Sequence, residues 1–154
     1  MTVAEKLVAL YSAKGTTCAT AESCTGGGIG AAITSASGAS EVFLGGIISY
    51  ANEVKRDVLG VSEEVLATVG AVSAECAAAM AQGARRLTKA DVAVAVTGIA
   101  GPGGGTPSKP VGTVWFGLAT ANGTRTEHCL FTGERDEVRA KTITHALGML
   151  TTAI

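Results

Sequence analysis

Four side chains within the first 55 residues, Ser23, Ser40, Tyr50 and Lys55, are the pieces from which this chain could assemble a nucleophile and its base. His128 and His145 each stand alone in sequence, so structural roles suit them better than metal binding. With no Cys–His or Ser–His pairing in view, serine activated by lysine and assisted by tyrosine is the arrangement left for nucleophilic catalysis. A lysine works as a base at neutral pH only if it is partly desolvated or lies near another cation. By composition alone Lys55 reads as an ordinary solvated helix lysine, and Tyr50 as a core or rim residue at a strand end. Cys24, next to Ser23 and close to a helix N-terminus, offers a thiol alternative whose pKa such a position could lower. More often a cysteine in that setting is a small buried filler. Arg135 and Arg139 stand one helical turn apart, a spacing that suits either a phosphate clamp or two ordinary surface charges.

The elements that must position these groups follow from the patterning. Residues 16–21 are short, β-branched and apolar enough for a buried strand, and residues 29–36 suit a helix. Ser23 and Thr25 therefore fall at a strand-to-helix turn, where open α/β sheets place their ligands. Gly26, Gly27 and Gly28 would let a substrate approach the backbone, and a helix N-terminus supplies unpaired N–H donors for an anion or oxyanion. Ser23 could instead be a plain helix cap. Three glycines that each cost about 1 kcal/mol in a helix are not explained by a cap, which favours a site. A second glycine-rich loop, Thr97-Gly98-Ile99-Ala100-Gly101-Pro102-Gly103-Gly104-Gly105, follows a buried strand at residues 91–96, so both loops can face one crevice. Neither completes a nucleotide fingerprint: G-x-x-x-x-G-K-[ST] is absent, and Gly26–Gly30 holds G-x-G without G-x-G-x-x-G.

The remaining spacing predicts helices over residues 3–14, ending at Gly15, over 52–59 with Lys55, from Ser62 onward, over 74–87 capped by Ser73, and over 135–150. Arg85, Arg86 and Lys89 complement a helix dipole rather than forming a binding patch. Residues 111–120 and 124–131 flank Ala121-Asn122-Gly123, a hairpin signal. Helices alternating with strands, plus one hairpin, predict a three-layer α/β/α domain with a mixed sheet. Residues 42–50 form an apolar run broken at Gly45-Gly46. A straight strand at about 3.3 Å per residue would hold Ser40 and Tyr50 roughly 33 Å apart. The two share a site only if the glycines bend the chain or if two subunits contribute.

At 154 residues the chain is expected to be a single domain with a real core. Apolar residues make up 47% and charged residues 16%, and 21 glycines against only six aromatics indicate closely packed elements and a homo-oligomer interface. A net charge of −1 offers no nucleic-acid footprint. Cys18, Cys24, Cys76 and Cys129 lack metal spacing and, without a signal peptide, read as reduced cytoplasmic thiols. The apolar runs are too short for a membrane span.

Ala21-Glu22-Ser23-Cys24-Thr25-Gly26-Gly27, Gly38-Ala39-Ser40 with Gly45-Gly46, Tyr50, Asn52, Lys55 and Leu59-Gly60-Val61, then Thr97-Gly98-Ile99-Ala100-Gly101-Pro102 with Gly105-Thr106 and Lys109-Pro110-Val111-Gly112, resemble in order the motifs of the CinA C-terminal domain family. Gly133-Glu134-Arg135 with Val138-Arg139 fits as well, so the resemblance covers nearly the whole chain. It implies an α/β/α sandwich similar to anticodon-binding domains, with a five-stranded, mostly parallel mixed sheet. It also implies a metal-free amidohydrolase without cofactor, converting nicotinamide mononucleotide and water to nicotinic acid mononucleotide and ammonia. Many members carry an additional N-terminal molybdopterin-binding-like domain, and this chain resembles the stand-alone form. On this reading Ser23 attacks the carboxamide, Lys55 is general base and later acid, and Tyr50 and Ser40 assist. Glu22, Thr25, Gly26, Gly27, Thr97, Gly98, Ile99, Ala100 and Gly101 surround the substrate, and either Arg135 or Arg139 takes the phosphate. The preference for Ser23 over Ser40 rests on the strand-to-helix turn. Two other readings stay open: a nucleotide-binding or scaffolding module without turnover, and a thiol enzyme using Cys24.

Overall fold

A computed structural model describes all residues, Met1–Ile154. The chain runs α1 (Val3–Lys14), β1 (Cys18–Glu22), α2 (Gly28–Thr34), a 3-10 turn (Ala39–Glu41), β2 (Phe43–Ile48), α3 (Asn52–Asp57), α4 (Glu63–Ala67), α5 (Ala74–Thr88), β3 (Val92–Gly98), β4 (Thr113–Thr120), β5 (Gly123–Leu130) and α6 (Arg135–Thr152). The strand order is β2-β1-β3-β4-β5. β1 pairs in parallel with both β2 and β3, while β3–β4 and β4–β5 are antiparallel. Four of the five strands thus point the same way, and the hairpin supplies the one reversal.

The helix ends follow their sequence signals. Thr2 and Glu5 form a capping box on α1, and Gly15 closes it in the left-handed conformation. Ser62 and Ser73 cap α4 and α5 through their side chains. Arg85 and Arg86 are spent on the carbonyls of Asp91 and Leu59, in keeping with a structural role.

Strand alternation sorts the core by residue size. One face of the sheet carries Cys18, Val92, Val94, Val96, Phe116 and Leu118, which pack with Leu7, Tyr11, Ile29, Ile33 and Leu150 from α1, α2 and α6. The other carries Ala19, Ala21, Ala93, Ala95 and Ala119 beneath the alanine-rich α5. Close approach is what the small residues permit: a Cβ on Gly117 would collide with the Ala77 carbonyl, and one on Gly83 with the Leu59 carbonyl. Glu22 and Ser23, adjacent in sequence at the end of β1, therefore face opposite layers.

β2 is an edge strand, and it decides between the two ways in which Ser40 and Tyr50 could share a site. The Gly45-Gly46 pair does not fold the chain back. It accommodates a register slip beside Cys18 and Ala19, after which pairing continues to Ile48 opposite Glu22. No helix of the chain is long and apolar enough to cross a membrane.

Candidate active site

The geometry converges on Ser23 and Lys55. Ser23 leaves the C-terminal end of β1 and is 7% exposed; its N–H still donates to the Val96 carbonyl of β3, which fixes its backbone. Lys55 projects from α3 and is 2% exposed. Its Nζ lies 3.0 Å from Ser23 Oγ and 3.0 Å from the Tyr50 carbonyl oxygen, and it takes part in no ion pair. Burial without a carboxylate disfavours the ammonium form and lowers the Lys55 pKa below the ordinary lysine value. The solvated helix lysine suggested by composition is thus replaced by a desolvated amine in contact with a hydroxyl. In its neutral form one N–H serves Tyr50 and the lone pair is available to the Ser23 proton.

Around this pair lies a cavity of about 210 Å³ lined by Ser23, Cys24, Tyr50, Lys55, Thr97 and Arg135, among others. It adjoins a larger cleft of about 650 Å³ that contains Val111, Glu134, Asp136 and Arg139 and shares Ala100 and Arg135 with it. The larger cleft does not itself reach Ser23; a ligand engaging both would place a small group at the serine and its bulk against the α6 N-terminus. The cleft falls within the usual size range for small-molecule sites.

Several candidate residues play parts other than those expected. The α2 N-terminus is not open to a ligand anion. Glu22, 2% exposed, fills it: its carboxylate accepts from the Ile29 and Gly30 N–H groups at 2.8 and 3.0 Å and from Thr25 Oγ1 at 2.6 Å. Glu22 and the Thr25 side chain therefore support the turn from beneath, outside the lining of both cavities, and Ser23 is not the helix cap, which is Gly27. Gly26 and Gly27 have φ of 58° and 102°, backbone that glycine adopts without strain. Gly28 instead makes room for Ile143 of α6, whose Cδ1 would lie 2.6 Å from an added Cβ. Substituting Glu22→Gln places an amide N–H₂ against a backbone donor and breaks a charged acceptor set, so we expect a loss of about 2–4 kcal/mol. Thermal unfolding should register this as a Tm lower by roughly 5–15 °C. An unchanged Tm would remove the supporting role.

The second loop supplies the opposite wall. Thr97 is buried and donates through its hydroxyl to the Ala71 carbonyl, holding the α4–α5 connection against the cavity. The Ile99 N–H goes to the Thr113 carbonyl, while Gly98 packs against Thr113 and Val114. The Gly101 carbonyl accepts from Arg135 Nη1 at 2.7 Å. The N–H groups of Cys24, Thr25, Ala100 and Gly101 donate to no other residue, although all four residues are buried. Buried backbone donors are nearly always satisfied, and of these four Cys24 and Ala100 line the small cavity, where a ligand can meet them.

Tyr50 is 61% exposed and sits on the rim. Its phenol accepts from Arg135 Nη2 at 3.3 Å, and its closer link to Lys55 is the main-chain carbonyl. Arg135 is exposed and faces both cavities, whereas Arg139 is half-buried and committed to the carbonyls of Cys24 and Thr25. Ser40 is not brought to this place: it is exposed on the 3-10 turn that precedes β2, at the far end of the strand from Tyr50, and β2 alone spans roughly 16 Å. Cys24 has no lowered pKa, because burial pushes its thiol up to about 11. His145 bonds Glu127 and packs on Phe116, and His128 lies against Trp115, all away from Ser23. Asn52, Ala71 and Val72 also line the small cavity. Asn52 had a signal in the ordered motif, but Ala71 and Val72 had none, since they enter through the Thr97 hydrogen bond.

Comparison with known proteins agrees with this architecture. A family model described as the CinA C-terminal domain matches residues 1–154. The CinA-like protein of Geobacter sulfurreducens is 49% identical over 149 residues, covering 97% of this chain and 36% of the relative. The CinA-like protein of Thermotoga neapolitana is 45% identical over 143 residues, covering 93% and 35%. The chain thus spans about a third of the length of these curated relatives. Among solved structures, competence/damage inducible protein CihA from Agrobacterium tumefaciens superposes with a TM-score of 0.95 at 43% identity, covering 97% of this chain and 92% of that one. The competence damage-inducible protein A from Klebsiella pneumoniae superposes with a TM-score of 0.94 at 37% identity, covering 98% and 94%. With its sequence matched from end to end and its five-stranded sheet superposing closely on solved relatives, this chain belongs to the CinA C-terminal domain family.

Proposed function

We propose that this chain is an amidohydrolase that hydrolyses the carboxamide of nicotinamide mononucleotide to nicotinic acid mononucleotide and ammonia, as its resemblance to the family implies. The observation that carries the reading is the buried, unpaired Lys55 amine 3.0 Å from Ser23 Oγ. Neutral Lys55 accepts the Ser23 proton as Oγ attacks the carboxamide carbon. The resulting oxyanion is held by backbone N–H groups, for which Cys24, on the wall of the small cavity, is the nearest free donor in sequence. Lys55 then returns the proton to the leaving nitrogen, releasing ammonia and leaving a nicotinoyl ester on Ser23. Water, deprotonated by Lys55, cleaves that ester, releasing the acid and restoring the serine hydroxyl. Arg135 is the phosphate ligand in this scheme, since it is the more exposed of the two and lines both cavities, whereas Arg139 lines the larger cleft alone and spends two of its nitrogens on the Cys24 and Thr25 carbonyls.

Association of copies belongs to the same proposal. Edge strand β2 leaves Leu44 and Ile48 exposed, and a second copy is the route by which Ser40 could reach a Ser23 centre. The test is ammonia release from nicotinamide mononucleotide by the purified protein in the presence of a chelator. Release that vanishes in Ser23→Ala supports the reading; saturable binding without release replaces it with a non-catalytic nucleotide-binding module. The thiol alternative has its own test. With a thiol held near 11 by burial, Cys24→Ala should keep kcat/KM within about threefold, and a collapse of activity would reinstate Cys24 as nucleophile.

A further inference from the structure

We infer that Arg139 is a positioning residue that sets the oxyanion donors of the Ser23 turn and does not hold the substrate's phosphate. The inference rests on the amidohydrolase reading above. Arg139 reaches from α6 to two successive carbonyls, with Nε 3.1 Å from the Cys24 oxygen and Nη2 3.0 Å from the Thr25 oxygen. A guanidinium donates through a rigid planar fork, so two such bonds fix direction as well as distance. In a planar trans peptide the N–H points opposite to the C=O of the same unit. Holding the Cys24 carbonyl therefore orients the Thr25 N–H away from Arg139, and holding the Thr25 carbonyl orients the Gly26 N–H.

The Gly26 N–H donates to the Ser23 carbonyl at 3.1 Å, and that carbonyl shares its peptide plane with the Cys24 N–H. One side chain thus sets the Thr25 N–H directly and, through the Gly26 relay, the Cys24 N–H that lines the cavity beside Ser23. From below, Glu22 holds Thr25 Oγ1 and the first amides of α2, so the turn is gripped on two sides. Arg139 forms no ion pair, which leaves the two carbonyls as its only partners in the chain. Gly26, between these bonds, has a φ of 58°, a conformation that favours glycine.

A positioning role and a phosphate role separate in kinetics. Losing an oriented oxyanion donor lowers kcat by about 10²-fold or more, whereas losing a phosphate ligand raises KM. We would compare Arg139→Ala, Arg139→Lys and Arg135→Ala on nicotinamide mononucleotide and on the riboside that lacks the phosphate. The expected result is a kcat lowered about 100-fold in Arg139→Ala with KM within about threefold, on both substrates. Arg139→Lys should restore little, since an ammonium cannot grip two carbonyls in one plane. Arg135→Ala should raise KM for the nucleotide alone. Hydrogen exchange read without substrate gives an independent measure: amides of residues 23–28 should exchange faster in Arg139→Ala and unchanged in Arg135→Ala. A raised nucleotide KM with kcat retained in Arg139→Ala, or unaltered exchange in that segment, overturns the inference. If the wild-type protein releases no ammonia, the amidohydrolase reading fails by itself, and the exchange experiment still decides whether Arg139 holds the turn.

Discussion

Replacing Lys55 with methionine is expected to abolish turnover while leaving the fold as stable as before, or more stable. Activity should fall by at least about 10³-fold, because the base for both the acylation and the deacylation step disappears. Stability follows a different balance. The amine is buried without a carboxylate, so the native state bears a desolvation penalty that methionine, of similar length, does not. Against this stands the loss of the hydrogen bonds to Ser23 and the Tyr50 carbonyl, worth about 1 kcal/mol each. The desolvation penalty equals or exceeds those bonds, so a change from neutral to about 2 kcal/mol of stabilisation is expected. Denaturant unfolding checks it. A variant that is both inactive and badly destabilised would make Lys55 a structural residue; one that is active and stable would remove it from the chemistry.

The same lysine fixes a pH dependence whose sign can be worked out. Its folded-state pKa is lowered by burial from the ordinary 10.5. Below that lowered value both native and unfolded chains hold the proton, and the penalty is at its full size. Between it and 10.5 the unfolded chain binds the proton and the native chain does not, so the Lys55 contribution to stability improves as pH rises through the window. Subtracting the Lys55→Met profile from that of the wild type should isolate this rise. The kcat/KM of the wild type should climb through the same lowered pKa, since the neutral amine is the working form.

Most of the fold was legible because it is written in local patterns. Gly15, Ser62 and Ser73 mark helix ends by cap chemistry, and the Ala121-Asn122 turn marks the hairpin. The Ser23 turn was legible for the same reason: a buried strand followed by glycines has few alternatives. What was not legible depended on which face a residue takes and on contacts between distant elements. Glu22 looked like part of a ligand loop, yet strand alternation turns it to the α2 side while Ser23 faces α3 and α5. Lys55 on a short helix carries no mark of burial; it is desolvated by residues distant in sequence, with Ser23 at its Nζ and Cys24 and Cys76 nearby. Arg135 and Arg139 share spacing and charge, and they separate only because α6 brings Arg139 alone over the Cys24–Thr25 carbonyls. Ser40 was a candidate by motif alone, and the unbroken run of β2 past Gly45 and Gly46 takes it out of the centre within one chain.

Ser23→Ala is expected to have the other large effect, a loss of at least about 10³-fold in kcat with nucleotide affinity preserved. The hydroxyl's one side-chain partner is Lys55 Nζ, so its removal should cost no more than about 1 kcal/mol of stability, and calorimetric titration should still detect the nucleotide through the larger cleft. The stronger test is the combination with Lys55→Met. Two residues that act on one proton form a unit, and once either is gone the other has nothing left to do. The double variant should therefore be no slower than the worse single one, a coupling as large as the single effect itself. Independent contributions would instead multiply, pushing the double variant about 10³-fold below either single. That outcome would separate Lys55 from Ser23 and leave their 3.0 Å contact as packing at the end of β1, with the nucleophile to be sought elsewhere along the cleft.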